Sequence, residues 1–226
     1  MISGNAADGV VLSSPARNNR VQGNFIGTDK DGNEALGNGS DGVVIVSSDG
    51  NTVGGPASGA GNRIAHNGGD GVLVFGAGAV GNRVLSNSTF LNTGLGIDLG
   101  VDGVTANDTD DPDGGANRLQ NFPVITSATR DQSAGFTTIS GRLNSNPSQS
   151  FTIQCFVAAP DPSGRGEGQI PLGQTTATTN ANGNDNSFTC VSPVAQPGQV
   201  VTATATNTAT GDTSEFSQNV GVTSVP

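Results

Sequence analysis

The chain has 226 residues, with 19 acidic side chains against nine Lys and Arg, a formal charge of -10, 35 Gly, two Cys and neither Trp nor Tyr. That charge repels phosphate backbones and anionic headgroups, and no segment reaches the roughly 18 to 20 apolar residues of a membrane span, so neither nucleic acid binding nor membrane insertion is expected. Only 33% of residues are hydrophobic, but Val, Ile, Leu and Phe fall in short clusters, which predicts folding around thin cores.

The amino terminus, MISGNAADG, has no basic region and no apolar signal core, so an export signal would lie outside this chain. Repeats begin at once. Tetrads ending in Asn recur as Ile2-Ser3-Gly4-Asn5, Val21-Gln22-Gly23-Asn24, Ile64-Ala65-His66-Asn67 and Val84-Leu85-Ser86-Asn87. Asp-Gly followed by three apolar residues recurs at Asp8-Gly9, Asp41-Gly42 and Asp70-Gly71, with a degenerate copy at Leu95-Gly96-Ile97-Asp98-Leu99. The apolar clusters are too short for helices and are bounded by Gly, Asn or Asp. They predict strands, with one coil per period of about 20 to 25 residues and coils stacked at about 4.8 Å.

In that arrangement Asn5, Asn24, Asn67 and Asn87 take tight corners of positive φ and hydrogen-bond along the stack, while Gly9, Gly42 and Gly71 shape a second corner. Repetition favours a structural role for all of them. These segments, above all Gln22-Gly23-Asn24-Phe25-Ile26-Gly27-Thr28-Asp29, resemble the right-handed parallel β-helix repeat family of bacterial and archaeal surface proteins. The resemblance implies a β-helix over residues 1–103, in a superfamily that holds polysaccharide lyases, hydrolases and epimerases as well as adhesins and stalks. The stack starts abruptly at Met1-Ile2. Either the chain is the carboxy-terminal part of a longer protein, or its open end docks on another copy.

Residues 104–121 form an acidic, Gly- and Asp-rich linker. Asp108, Asp110, Asp111 and Asp113 are candidate oxygen ligands for a hard cation, and Ca2+ is the candidate cofactor. The spacing departs from an EF-hand, with Thr109 and Gln120 where Asp and Glu belong, and a solvated acidic linker is the plainer alternative.

Over residues 122–226 a period of two takes over, in runs such as 136–143, 151–157, 187–191 and 200–206, separated by turn signals. This predicts an antiparallel β-sandwich. Cys155 and Cys190 each follow a same-face apolar residue and can pair across it, which suits an oxidising compartment; two reduced buried thiols are the alternative. Leu119-Gln120-Asn121-Phe122-Pro123-Val124, Gly164-Arg165-Gly166-Glu167-Gly168 and Thr213-Ser214-Glu215-Phe216-Ser217 look like the immunoglobulin-like module that follows such β-helices in exported proteins, which implies an accessory or spacer role.

Signals for chemistry are sparse. Arg20, Arg63 and Arg83 recur and can form a ladder that holds an anionic glycan or offsets nearby Asp. His66 reads as a surface residue. Asp8, Asp41 and Asp70, on equivalent positions of stacked coils, would sit about 5 Å apart, as a retaining glycosidase requires, but repetition explains them as corners. No catalytic residue is assigned. The expectation is an all-β, non-catalytic extracellular or cell-surface structural or adhesion protein, self-associating end to end and contacting other copies, neighbouring surface proteins or glycans. The alternative is a carbohydrate-binding or carbohydrate-active protein, and the lack of Trp and Tyr platforms weighs against it.

Overall fold

The computed structural model describes residues 1–159 and 161–225; Pro160 and Pro226, both within the expected 122–226 module, lie outside the described residues. The described residues are all-β, apart from one 3-10 turn at Ala116–Leu119.

In the first half the chain winds repeatedly through three parallel sheets. One contains β1 (Val10–Ser13), β4 (Val43–Val46), β7 (Val72–Phe75) and β10 (Ile97–Leu99) in that order. A second contains β2 (Arg20–Val21), β5 (Thr52–Gly54) and β8 (Arg83–Leu85), and a third β3 (Phe25–Ile26), β6 (Arg63–Ala65) and β9 (Ser88–Phe90). The register stacks like on like: Leu12, Ile45, Val74 and Leu99 in one column, Val21, Val53 and Val84 in the next, and Ile26 beside Ile64 in the third. These side chains fill a single apolar column in which Ile26, Val43, Ile45, Val53, Ile64, Val72 and Val74 are fully buried. β-Branched residues suit it, because their restricted rotamers are already those of a strand.

Asparagine ladders hold the corners. Asn5 donates its backbone N–H and its Nδ2–H to Oδ1 of Asn38 (3.2 and 2.7 Å), Asn38 does the same to Asn67, and Asn67 to Asn92. A second ladder runs from Asn19 through Asn51 to Asn82, and a third from Asn24 through Asn62 to Asn87. Every rung points the same way, from the earlier coil's donors to the later coil's oxygen. An Asp column runs with the opposite polarity, from the later coil's N–H to the earlier coil's carboxylate: Asp41 N–H donates to Asp8 Oδ1, Asp70 N–H to Asp41 Oδ1 and Leu95 N–H to Asp70 Oδ1.

Several details differ from the sequence reading. The first two rungs of the first ladder span 33 and 29 residues, longer than the expected period, because excursions such as the Thr28–Ala35 bridge lengthen the early coils, while the third spans 25 and falls within it. Asn5 and Asn67 share one ladder while Asn24 and Asn87 share another. The positive φ falls on the residue before each of them, at Gly4, Gly23, His66 and Ser86 (70°, 66°, 62° and 56°). Gly9, Gly42 and Gly71 are not left-handed. They sit at strand entries where a Cβ would lie 2.6 to 2.7 Å from the carbonyl oxygen of the next coil, so close stacking is what requires glycine. The arginines form no ladder: Arg20 and Arg83 are separated by Thr52, and Arg63 lies in another sheet with its guanidinium 4.4 Å from the Phe90 ring centre.

The second half contains two sheets. One orders β15 (Asn184–Ser192), β12 (Phe136–Asn144), β11 (Val124–Asp131) and β18 (Thr223–Val225); the other orders β14 (Gly168–Thr178), β13 (Ser150–Ala158), β16 (Val200–Asn207) and β17 (Val220–Gly221). All pairs are antiparallel except β11 with β18. Their facing sides share a core that includes Ile139, Leu143, Phe151, Ile153, Phe188 and Val201, and a disulfide between Cys155 on β13 and Cys190 on β15 joins the two sheets.

Candidate functional site

The groups that the last coil leaves unpaired are met one by one from the second half. On the first ladder, Asn92 donates its N–H and Nδ2–H to the two carboxylate oxygens of Glu167 (3.1 and 2.5 Å). At the edge of β10, Leu99 N–H donates to Glu215 Oε1 (3.1 Å), and Thr105 N–H to Oε2 (3.0 Å). Along β8, Val84 N–H donates to Thr213 Oγ1, while Gly81 N–H just before it donates to Asp212 Oδ1. Ser86 N–H donates to Gln154 Oε1. On β9, Ser88 Oγ–H donates to the carbonyl of Gln169, and Thr89 Oγ1 accepts Gly168 N–H. A parallel stack ending in solvent would offer these groups as a template for further pairing.

The apolar column is closed by the same segments. Phe156 and Phe216 belong to the stack's core cluster and meet edge to face, 5.4 Å apart at 84°. Phe216 explains the glycines around it: a Cβ at Gly96, Gly166 or Gly168 would come within 2.5 to 2.9 Å of its atoms. Thr213-Ser214-Glu215-Phe216-Ser217 therefore divides its residues between two tasks. Ser214 and Ser217 accept N–H groups of β16, while Thr213, Glu215 and Phe216 reach into the stack.

Glu167 and Glu215 are 1% and 3% exposed, and burial pushes both carboxyls up to about 7 against the pull of the N–H groups donated to them. They are acceptors that terminate ladders.

The acidic segment is built into this junction. Ala116 is buried with the stack core, and Asn117 extends the second ladder by accepting Asn82 N–H (2.9 Å) and donating to the carbonyls of Asn82 and Thr213. Arg118 pairs with Asp212. Further up, Asp108, Asp111 and Asp113 converge, with one oxygen from each within 4.8 Å of the others. Asp111 is held by Asn121 N–H (3.1 Å), Gln120 Nε2 (2.7 Å) and Ser145 Oγ (2.5 Å). Asp108 Oδ1 and Asp113 Oδ1 are buried and have no hydrogen-bond partner. Burial pushes Asp111 up to about 6, and the neighbouring carboxylates push in the same direction. Asp110, the fourth expected ligand, is outside the cluster: it and Asn144 bind each other through Asp110 N–H (2.8 Å) and Asn144 Nδ2 (3.3 Å).

The remaining candidates are accounted for by packing. Asp8, Asp41 and Asp70 accept backbone N–H groups, and His66 meets the Phe90 ring edge to face. Among the described residues no helix is long and apolar enough to cross a membrane. No protein-family model matches the chain, and no curated protein matches it.

The Gly-Arg-Gly-Glu-Gly and Thr-Ser-Glu-Phe-Ser motifs were visible in the sequence, but their role at the end of the stack was not. Glu167 lies 75 residues from Asn92, and Glu215 lies 116 from Leu99, beyond the reach of any local pattern.

Proposed function

We propose that the chain is a non-catalytic structural protein of an extracellular or cell-surface assembly, in which a short right-handed parallel β-helix is stoppered by an immunoglobulin-like β-sandwich. What carries this reading is that Glu167, Glu215, Thr213, Asp212, Gln154 and the Phe156–Phe216 pair meet the last coil at all three sheets, which makes two modules into one stiff body. The Cys155–Cys190 disulfide supports an oxidising location. A rigid spacer that presents one end of a coil stack needs no reactive group, and the buried acids at the junction already have structural partners.

Ca2+ is proposed as the occupant of the Asp108, Asp111 and Asp113 cluster. Three carboxylates with no cationic side chain among their hydrogen-bond partners, two of them with a buried unpartnered oxygen, suit a hard cation that takes oxygen ligands at about 2.3 to 2.6 Å.

Incubation with acidic and neutral polysaccharides, followed by assay for new reducing ends or unsaturated products, tests the non-catalytic reading. No release is expected, and steady release by the purified protein overturns it. Small-angle scattering decides the rigidity: one elongated particle of fixed length is expected, and a distribution of inter-module angles overturns the stopper.

A further inference from the structure

Arg17 and Arg118 pair with carboxylates, and Arg63 and Arg130 donate to backbone carbonyls. Arg165 does neither. Its guanidinium lies 4.6 Å from the centre of the Phe122 ring, makes no ion pair and no hydrogen bond with any described residue, and has its Nη1 buried. The chain carries 19 acidic side chains, and among the described residues none is placed within ion-pair reach of it. Arg165 and Phe122 line one cavity of about 290 Å3, whose remaining walls include Pro123, Val124, Ile125 and Val220.

Both sides of this cavity are pinned. Asn107 exchanges two hydrogen bonds with the Phe122 backbone, donating from Nδ2 to the carbonyl (2.8 Å) and accepting the N–H at Oδ1 (3.0 Å). Asn219 does the same for the loop that carries Arg165, accepting Gly166 N–H (3.1 Å) and donating to the Gly166 carbonyl (2.9 Å). The site is therefore preorganised, and little ordering opposes a ligand. A guanidinium on an aromatic face is partly shielded from water, and there an anionic oxygen gains more than it does at an exposed arginine. A carboxylate matches the planar fork with two parallel hydrogen bonds. The volume lies at the lower limit of small-molecule sites, about 300 Å3, so the ligand is compact. We infer that this cavity binds a small organic acid, with its carboxylate on Arg165 and its apolar body against Pro123, Val124, Ile125 and Val220. The scaffold reading does not require such a site, and failure of the inference would leave that reading standing.

The test titrates the intact chain with phenylacetate, with its neutral counterpart phenylacetamide and with acetate, which lacks the apolar body. The amide resonances of Phe122, Arg165 and Val220 are the readout. Saturable shifts are expected with phenylacetate, at an affinity at least about tenfold above that of either control. Arg165→Met keeps an apolar stem on the Phe122 ring and removes the charge, so it should weaken phenylacetate by about tenfold or more in a protein that still unfolds in one cooperative transition. Should that variant not fold, Ala106→Phe places a ring at an exposed position on the cavity wall, leaves Arg165 intact and should abolish binding by filling the space. Equal affinity for phenylacetate and phenylacetamide overturns the inference. So does phenylacetate binding that is unchanged in a folded Arg165→Met or Ala106→Phe variant, or the lack of any saturable shift up to about 10 mM.

Discussion

The two ends of the parallel stack are made of the same coil and differ in almost everything else. At the amino end Asn5 is exposed, Val11 is half exposed, and the Asn oxygens face outward. At the carboxy end Asn92, Ile97 and Leu99 are buried under Phe156, Phe216, Glu167 and Glu215. What the difference teaches is that stability at a coil end is set by the element that closes it, and substitutions should reveal this as a gradient along the stack.

The largest effect is expected where the closing element fills the column. Phe216→Ala removes a ring that is 4% exposed and packs on Gly96, Gly166, Gly168 and Phe156. A void here has glycine backbone on several sides and little freedom to collapse, so a loss of about 3 to 5 kcal/mol is expected, by chemical denaturation. The exchange protection of β10 should fall before that of β4. If both fall together, the stack behaves as one cooperative unit and the gradient does not exist.

The next effect is pH dependence, to which the capped end contributes through two buried glutamates. Glu167 and Glu215 have their carboxyls raised from 4.5 to about 7 by burial. A raised carboxyl stabilises the fold fully below the unfolded value near 4.5, and that contribution is lost as pH rises through about 7. Each residue then accounts for about 3 kcal/mol as an upper figure. Tm should fall between pH 5 and pH 8, and Glu167→Gln should flatten the fall without abolishing it, because Glu215 remains. An unchanged slope in that variant would show that the ladder terminus is not the titrating element.

How much of this asymmetry the sequence revealed depends on the range of each interaction. The coils were legible because their causes are local: Val and Ile clusters bounded by Asn or Asp-Gly admit little else. Stacking of Asn on Asn was also legible, since repetition announces it. The rungs were not, because excursions of unequal length hide Asn38 and Asn92, and His66 and Ser86 take a left-handed φ that glycine takes at Gly4 and Gly23. The acidic cluster was found by its density of carboxylates. Asp110 was included because spacing alone does not tell which side chains converge when Asp110 and Asp111 both adopt positive φ (64° and 56°). The stopper was out of reach, since its residues answer to donors some 70 to 130 positions away.

Ca2+ should sharpen the contrast from the acidic side of the junction. An ion bound at Asp108, Asp111 and Asp113 stabilises the folded state by RT ln(1 + [L]/Kd), or about 2.7 kcal/mol at a hundredfold excess over Kd. Tm is expected to rise with Ca2+ and to return with chelator, while the exchange of β1, at the far end, stays constant. The effect should weaken below pH 6, where Asp111, with its carboxyl raised to about 6, takes up a proton in competition with the ion. Asp111→Asn should remove the response, and Asp110→Asn, outside the cluster, should leave it. A response that survives Asp111→Asn would place the ion elsewhere.

The smallest expected effect is the most discriminating. Asn5→Ala removes a side chain whose Nδ2–H reaches Asn38 Oδ1, but that oxygen still accepts the backbone N–H of residue 5, and water replaces the lost donor. Asn67→Ala makes the same chemical change in mid-ladder. It strips Asn38 of the acceptor for both its N–H and its Nδ2–H, and it leaves these donors buried, where each unsatisfied group costs about 1 to 3 kcal/mol. The Asn5 variant should therefore unfold within about 0.5 kcal/mol of the parent and the Asn67 variant at least about 2 kcal/mol below it. Equal losses would mean that the first rung is already as enclosed as the third.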